Sequence, residues 1–290
     1  MSPRDLILAL CVVTVWGVNF VAIRWGVDEV APLLMTGLRY LLAAVPAVFF
    51  IRRPATSWRI LIAYGLAIGV AQFGLLFMAI KLGMPAGLSS LVMQLQAFFT
   101  IGLAVLILGE RPSPLQWIGA AIAFAGIGLI GLDRLEGAAL TPLLMTIAAA
   151  FFWGVGNIIT KRAGKVDMLA FVVWSALVPP LPMLALSLIF EPGAIPAAAA
   201  NLTWLGGGSL LFIAYASTLF GYGVWSMLLS RYPAGLVAPF SLLVPIAGMG
   251  SAALLLGETI SAFEIGGSVL VFAGLLVNVL GPRLVKRAAT

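Results

Sequence analysis

The chain has 290 residues, of which 62% are hydrophobic and only 9% charged, with a net charge of +6. A soluble domain carries roughly 25% charged residues, so a water-facing surface of ordinary extent is excluded. With no histidine and one cysteine, Cys11, disulfide frameworks, zinc or iron–sulfur ligation and Ser-His-Asp chemistry are excluded as well.

What remains is a series of ten apolar stretches, each near the roughly 20 residues a helix needs to cross a bilayer. In chain order they are 6–26, 32–51, 60–80, 86–108, 115–132, 139–160, 167–190, 204–230, 234–256 and 263–282. The first is expected to be a span rather than a cleaved signal, because Val12–Ile23 lacks a small-x-small site and similar runs follow it. The long run Pro192–Ser230 is broken in its first third by Pro192, Pro196 and Asn201, so one helix from near Leu202 is expected there. Basic residues then orient the chain. Arg4, Arg52, Arg53, Arg59, Arg111, Lys161, Arg162, Lys165, Arg231, Arg283, Lys286 and Arg287 fall on one side, against Arg24, Lys81 and Arg134 on the other. By the positive-inside rule both termini are cytoplasmic. The basic residues form no stripe, so the excess charge is not a nucleic-acid signal. The expected fold class is an all-α integral membrane protein of ten transmembrane helices.

The sequence repeats itself. Pro85-Ala-Gly-Leu88 recurs as Pro233-Ala-Gly-Leu236 and, at the same offset, Gly109-Glu110 as Gly257-Glu258 and Phe124-Ala-Gly126 as Phe272-Ala-Gly274. Trp16-Gly-Val18 likewise recurs as Trp153-Gly-Val155, with Asn19 and Asn157 close behind. Two halves are expected, 1–135 and 136–290, of five spans each. An odd number of spans makes the halves enter the membrane in opposite senses, the construction of many alternating-access transporters.

Candidate site residues are polar and aromatic rather than acidic. The acidic residues sit at span ends, so neither an intramembrane protease dyad nor a proton relay through a mid-membrane carboxylate is expected. Arg39, inside span 2, has two readings. It snorkels or pairs with Asp28 or Glu29, or it anchors a substrate carboxylate. The expected lining of a central cavity is Trp16, Asn19, Gln72, Gln94, Gln96, Trp153, Asn157, Tyr222, Trp225 and Ser241. Each amide or hydroxyl is alternatively an interhelical hydrogen bond. Pro239 and Pro245 in span 9 are expected hinges or static kinks. Glycines of spans 5 and 10, Gly119, Gly126, Gly128, Gly266, Gly267 and Gly274, mark scaffold or dimer surface.

Three segments carry a resemblance: Gly83-Met-Pro-Ala-Gly-Leu-Ser-Ser-Leu-Val-Met-Gln-Leu-Gln-Ala-Phe-Phe-Thr100, Gly221-Tyr-Gly-Val-Trp225 and Ala238-Pro-Phe-Ser-Leu-Leu-Val-Pro245. With the repeat and its Gly-Glu pair, they resemble the EamA family of the drug/metabolite transporter superfamily, near its O-acetylserine/cysteine and YddG-type amino-acid exporter branches. The resemblance implies a non-enzymatic, multi-pass exporter of amino acids and related metabolites in the bacterial inner membrane, of broad specificity. Its partners would be small-molecule substrates and membrane lipids, its assembly a monomer or weak dimer, with no cofactor and no metal. The alternatives are export of another neutral metabolite or drug, and a channel-like facilitator.

Overall fold

The computed structural model describes residues 1–133 and 140–288, with side-chain surroundings at all of these except 133, 234–235 and 280–288. Arg134 and the expected boundary at 135/136 lie outside the described residues, as do the side chains of Arg283, Lys286 and Arg287. Among the described residues the chain forms ten apolar helices and a short connecting helix, Ala194–Asn201. The ten are α1 (Pro3–Glu29), α2 (Pro32–Val48), α3 (Trp58–Lys81), α4 (Ala86–Leu108), α5 (Pro114–Asp133), α6 (Leu140–Ala163), α7 (Met168–Phe190), α8 (Trp204–Arg231), α9 (Ala238–Leu256, preceded by the turn Ala234–Val237) and α10 (Ala262–Ala288). Nine are long and apolar enough to cross a bilayer, and α2 is a shorter apolar helix of 17 residues.

Local chemistry sets where these helices begin. Ser2, Ser57, Asp167 and Thr203 each accept a backbone N–H of the first turn, as good N-caps do. Ser261 and Glu264 form a reciprocal capping box at α10, with bonds of 3.0 and 3.1 Å. The helix α2 stops at Val48, three residues short of the expected 51, two residues after Pro46. The helix α7 breaks after Ser175 and resumes at Pro180, where Pro179, Pro180 and Pro182 remove donors from the ladder.

The irregularities obey the repeat. Both α3 and its counterpart α8 widen into a π-type stretch, at Gly65–Gln72 and Phe212–Phe220. Both α4 and its counterpart α9 tighten into 3-10 geometry, at Met93–Leu95 and Ala238–Leu243. Pro239 and Pro245 explain the second, since neither can donate to the helix ladder. Twin caps follow: Gly109 and Gly257 end α4 and α9 in the left-handed region, at φ 67° and 65°.

Packing obeys it too. A Cβ on Gly119 would stand 2.6 Å from the Gly274 carbonyl, and one on Gly126 would stand 2.6 Å from that of Gly267. Shifted by the repeat, each of these pairs becomes the other, as a two-fold relation between α5 and α10 requires. Likewise, α1 meets α9 where a Cβ on Gly17 would stand 2.7 Å from Gly248 N, and α6 meets α4 where one on Gly154 would stand 3.1 Å from Thr100 N. Small residues let these backbones touch where no hydrophobic force separates lipid from core. On the flank, Leu106 and its twin Leu254 are 82% and 86% exposed, as lipid-facing residues are.

Consecutive crossing helices alternate in direction, which gives two faces. On the face away from the termini, carboxylates of one helix cap the start of another. Glu29 accepts from Thr203 N and Oγ1 at 2.9 and 2.6 Å, and Glu191 accepts from Leu33 N and Leu34 N at 2.9 and 3.1 Å. Glu258 accepts from Ala86 N and Gly87 N at 2.7 and 3.0 Å. On the face that carries the termini, Asp5 holds Arg231 at 3.3 Å and accepts from Tyr232 Oη at 2.7 Å, while Lys161 pairs with Glu110 at 2.9 Å.

Candidate substrate pocket

Arg39 sits halfway along α2 and is 2% exposed. Its Nη2 donates to Thr218 Oγ1 at 3.0 Å, and its Nε and Nη1 have no partner among the described residues. The two acids that sequence offered it are engaged elsewhere: Asp28 with Arg24 at 3.3 Å, Glu29 with Thr203. Aromatic faces surround it instead. The guanidinium carbon stands 4.0 Å from the Phe73 ring centroid, 4.8 Å from that of Tyr40 and 5.7 Å from that of Phe77.

On order-of-magnitude terms this surrounding roughly balances the cost of burying the charge while leaving two of its donors unmet. Placing an arginine at bilayer depth costs about 2.5–3.5 kcal/mol on insertion scales, and each unpaired buried donor adds about 1–3 kcal/mol. A desolvated cation–π contact returns about 2 kcal/mol and one charge-assisted hydrogen bond about 1.5–3 kcal/mol. A ligand or water that meets the free donors would stabilise the charge further.

The donors open on a pocket of about 300 Å³, mouth included, lined by Arg39, Tyr40, Tyr64, Gly65, Ile68, Gly69, Phe73, Val172, Ser175, Ala176, Thr218 and Tyr222. That figure counts all the space out to the open mouth; the part closed to solvent is about 20 Å³, room for a water, so a metabolite enters only if the lining residues move apart. The pocket is built by the helix irregularities. Gly65, Ile68 and Gly69 belong to the π-type stretch of α3, Thr218 to that of α8, and Ser175 and Ala176 to the break in α7. Thr218 donates its own proton to Ile213 O, five residues back, at 2.9 Å, which leaves its lone pairs for Arg39. Among the described residues no aspartate or glutamate lines the pocket.

Beside it, Trp16 donates its indole N–H to Ser217 O at 3.0 Å and packs its ring against Tyr222 and Trp225, with centroids 5.6 and 5.2 Å apart. Tyr222 therefore joins an aromatic wall to the Arg39 pocket. Asn19 is buried one turn along α1 from Trp16, with an Oδ1 that has no partner among the described residues. Gln72 and Gln94 are buried at the end of the π-type stretch of α3 and in the 3-10 turn of α4, and neither side chain makes a hydrogen bond among the described residues.

Other expected site residues are engaged with the scaffold. Asn157 Nδ2 donates to Gln96 Oε1 at 2.7 Å and to Thr100 Oγ1 at 3.0 Å, tying α6 to α4. Trp153 packs against the core, including the cluster of Leu61, Tyr64, Ile68 and Phe171. Ser241 donates to Ala238 O at 2.7 Å within the 3-10 turn that holds Pro239, and Pro245 stands just past it in the first turn of the α-helical part. Tyr40, Tyr64, Phe73 and Ser175 line the pocket without having been expected from sequence. The available signal was a tyrosine next to Arg39 and another in an apolar span.

The sequence matches the EamA-like transporter family over residues 4–132 and again over 140–280. The chain belongs to the EamA-like transporter family. As an EamA-like transporter it is a multi-pass membrane protein, and the resemblance of Gly83–Thr100, Gly221–Trp225 and Ala238–Pro245 to that family holds. It is 46% identical to a probable amino-acid metabolite efflux pump of Salmonella typhimurium, covering all of this chain and 99% of the relative. It is 44% identical to a protein of the same description from Escherichia coli, covering 98% of this chain and 97% of the relative. A crystal structure of 18% identity superposes with a TM-score of 0.66 over 99% of this chain and all of the other, a likeness of fold.

Proposed function

We propose that this chain exports amino acids and their metabolites across the bacterial inner membrane, by alternating access between the halves 1–135 and 136–290. The single observation that carries the reading is the Arg39–Tyr222 pocket halfway along α2, joined to the Trp16 wall, in a chain whose 46% and 44% relatives are described as amino-acid metabolite efflux pumps. Inverted-repeat transporters bind substrate at this depth, where the halves meet. In this reading Trp16, Tyr222 and Trp225 give the aromatic surface, and Asn19, Gln72 and Gln94 supply amides that still have free donors or acceptors. The Gln96–Asn157 pair braces α4 against α6, with Trp153 beside it. Pro239 and Pro245, with Ser241 between them, form the flexible turn of α9. Both termini face the cytoplasm, where the basic residues gather. The unit is a monomer or weak dimer, since the glycine faces of α5 and α10 are occupied by one another.

The test is secretion. Cells that overproduce the protein should tolerate toxic amino-acid analogues, and should lose labelled amino acids to the medium faster than cells carrying an empty vector. Equal tolerance and equal efflux at confirmed membrane expression would overturn the reading.

A further inference from the structure

We propose that Arg39 binds the carboxylate of the transported molecule, so that the pocket accepts metabolites with a free carboxylate and rejects their amides, esters and decarboxylated amines. The inference rests on the export reading above and names the substrate class of the same pocket.

The unmet donors of Arg39 are the starting point. Its Nε and Nη1 are buried and unpartnered, and Thr218 takes only one of the two Nη2 protons. Whichever proton that is, one two-donor edge of the planar guanidinium, Nε with Nη2 or Nη1 with Nη2, stays free. Such an edge matches the two oxygens of a carboxylate in bidentate geometry, which a single-atom anion cannot exploit.

Charge points the same way. A cation buried in a membrane protein usually has an acid or a carbonyl as partner. Here Thr218 is neutral, and its proton is engaged by Ile213 O, so it contributes a lone pair and no charge. Among the described residues no acid lines the pocket, while Asp28 and Glu29 are engaged with Arg24 and Thr203. The missing negative charge is that of the ligand.

Position gives the binding its geometry. Phe73 stacks on the guanidinium at 4.0 Å and Tyr40 flanks it at 4.8 Å, so its fork is fixed in direction before a ligand arrives. Tyr64 and Tyr222 line the same pocket, so a molecule held there by its carboxylate would meet their rings once the pocket widens to admit it. Those rings offer π faces to an ammonium group and apolar edges to a side chain. One fixed anchor and a permissive wall suit a set of molecules that share the carboxylate and differ elsewhere.

The experiment uses the full chain in proteoliposomes. Counterflow of the proteinogenic amino acids, each labelled in turn, identifies the exported ones; the same amino acid, its carboxamide, its decarboxylated amine and excess chloride then compete with it. For wild type the carboxamide and amine should compete about 10- to 100-fold less well than the acid, the factor expected for losing a charge-assisted bond, and chloride should not compete. Arg39→Gln should bring the acid down to the level of the amide and leave the amide unchanged, and Arg39→Lys should retain part of the preference. Wild type that treats acid and amide alike, chloride that competes as the acid does, or an Arg39→Gln protein that loses acid and amide equally would overturn the proposal while leaving export intact. Absence of counterflow for every amino acid would overturn the export reading itself, and the anchor with it.

Discussion

Glu110 and Glu258 are twins in the repeat, each following a left-handed glycine, yet only Glu258 caps another helix. Glu258 closes the start of α4 through Ala86 and Gly87, whereas Glu110 reaches outward to Lys161 with its side chain half exposed. Helices α4 and α9 are thus latched on the face away from the termini. Near that latch Ser90 Oγ also approaches Pro245 O, at 3.5 Å.

The latch predicts the effect of removing its charge. Carboxylate bonds to backbone N–H groups contribute about 1.5–3 kcal/mol each, so Glu258→Gln should raise the fraction open on that face about tenfold or more. In a Cys11→Ser background, Leu88→Cys reports it: labelling by a membrane-impermeant maleimide should rise severalfold with Glu258→Gln and stay level with Glu110→Gln. Equal labelling in all three proteins would mean that the carboxylate does not hold the face shut.

The α5–α10 seam predicts stability. Gly126 stands against the Gly267 carbonyl, so Gly126→Val should destabilise the protein by about 1–3 kcal/mol, the usual penalty of overpacking. Gly128, two residues on, faces open space, and Gly128→Ala should change little, within about 0.5 kcal/mol. Thermal unfolding in detergent separates the two. A Gly126→Val protein that melts with wild type would contradict the packing described.

The polar residues divide by partner. Asn157→Ala removes two interhelical bonds of about 0.6 kcal/mol each and should lower melting slightly, with export nearly kept. Trp16→Ala removes the wall that meets Tyr222 and Trp225 and should reduce export severely, as should Gln94→Ala. Ile122→Ala, on α5 away from the pocket, serves as the expression-matched control. Normal export by Trp16→Ala together with loss in Ile122→Ala would show that these residues only hold the bundle together.

Much of this fold was legible in the sequence for a simple reason. Bilayer thickness fixes the length of each apolar run, and the Pro-Ala-Gly-Leu and Gly-Glu twins give the repeat register without structure. The lining of the pocket was less legible. Tyr64, Gly65, Ile68 and Gly69 share one helix face, as do Thr218 and Tyr222, but nothing in the sequence marks where α3 and α8 pass into five-residue steps and open the ladder beside those faces. The 3-10 turn at Met93–Leu95 disturbs α4 in the opposite sense, leaving Gln94 free of partners while Gln96 meets Asn157. The choice between the two readings of Arg39 depended on where Asp28 and Glu29 point, which is a matter of tertiary placement.

The most direct measurement of the central claim is trans-stimulated flux in liposomes that contain only the purified protein. With labelled amino acid inside, efflux should saturate with internal concentration and should accelerate when the same unlabelled amino acid is added outside, because a loaded site resets faster than an empty one. Efflux that rises linearly, unaffected by amino acid on the other side, would contradict alternating access and identify a channel-like path instead.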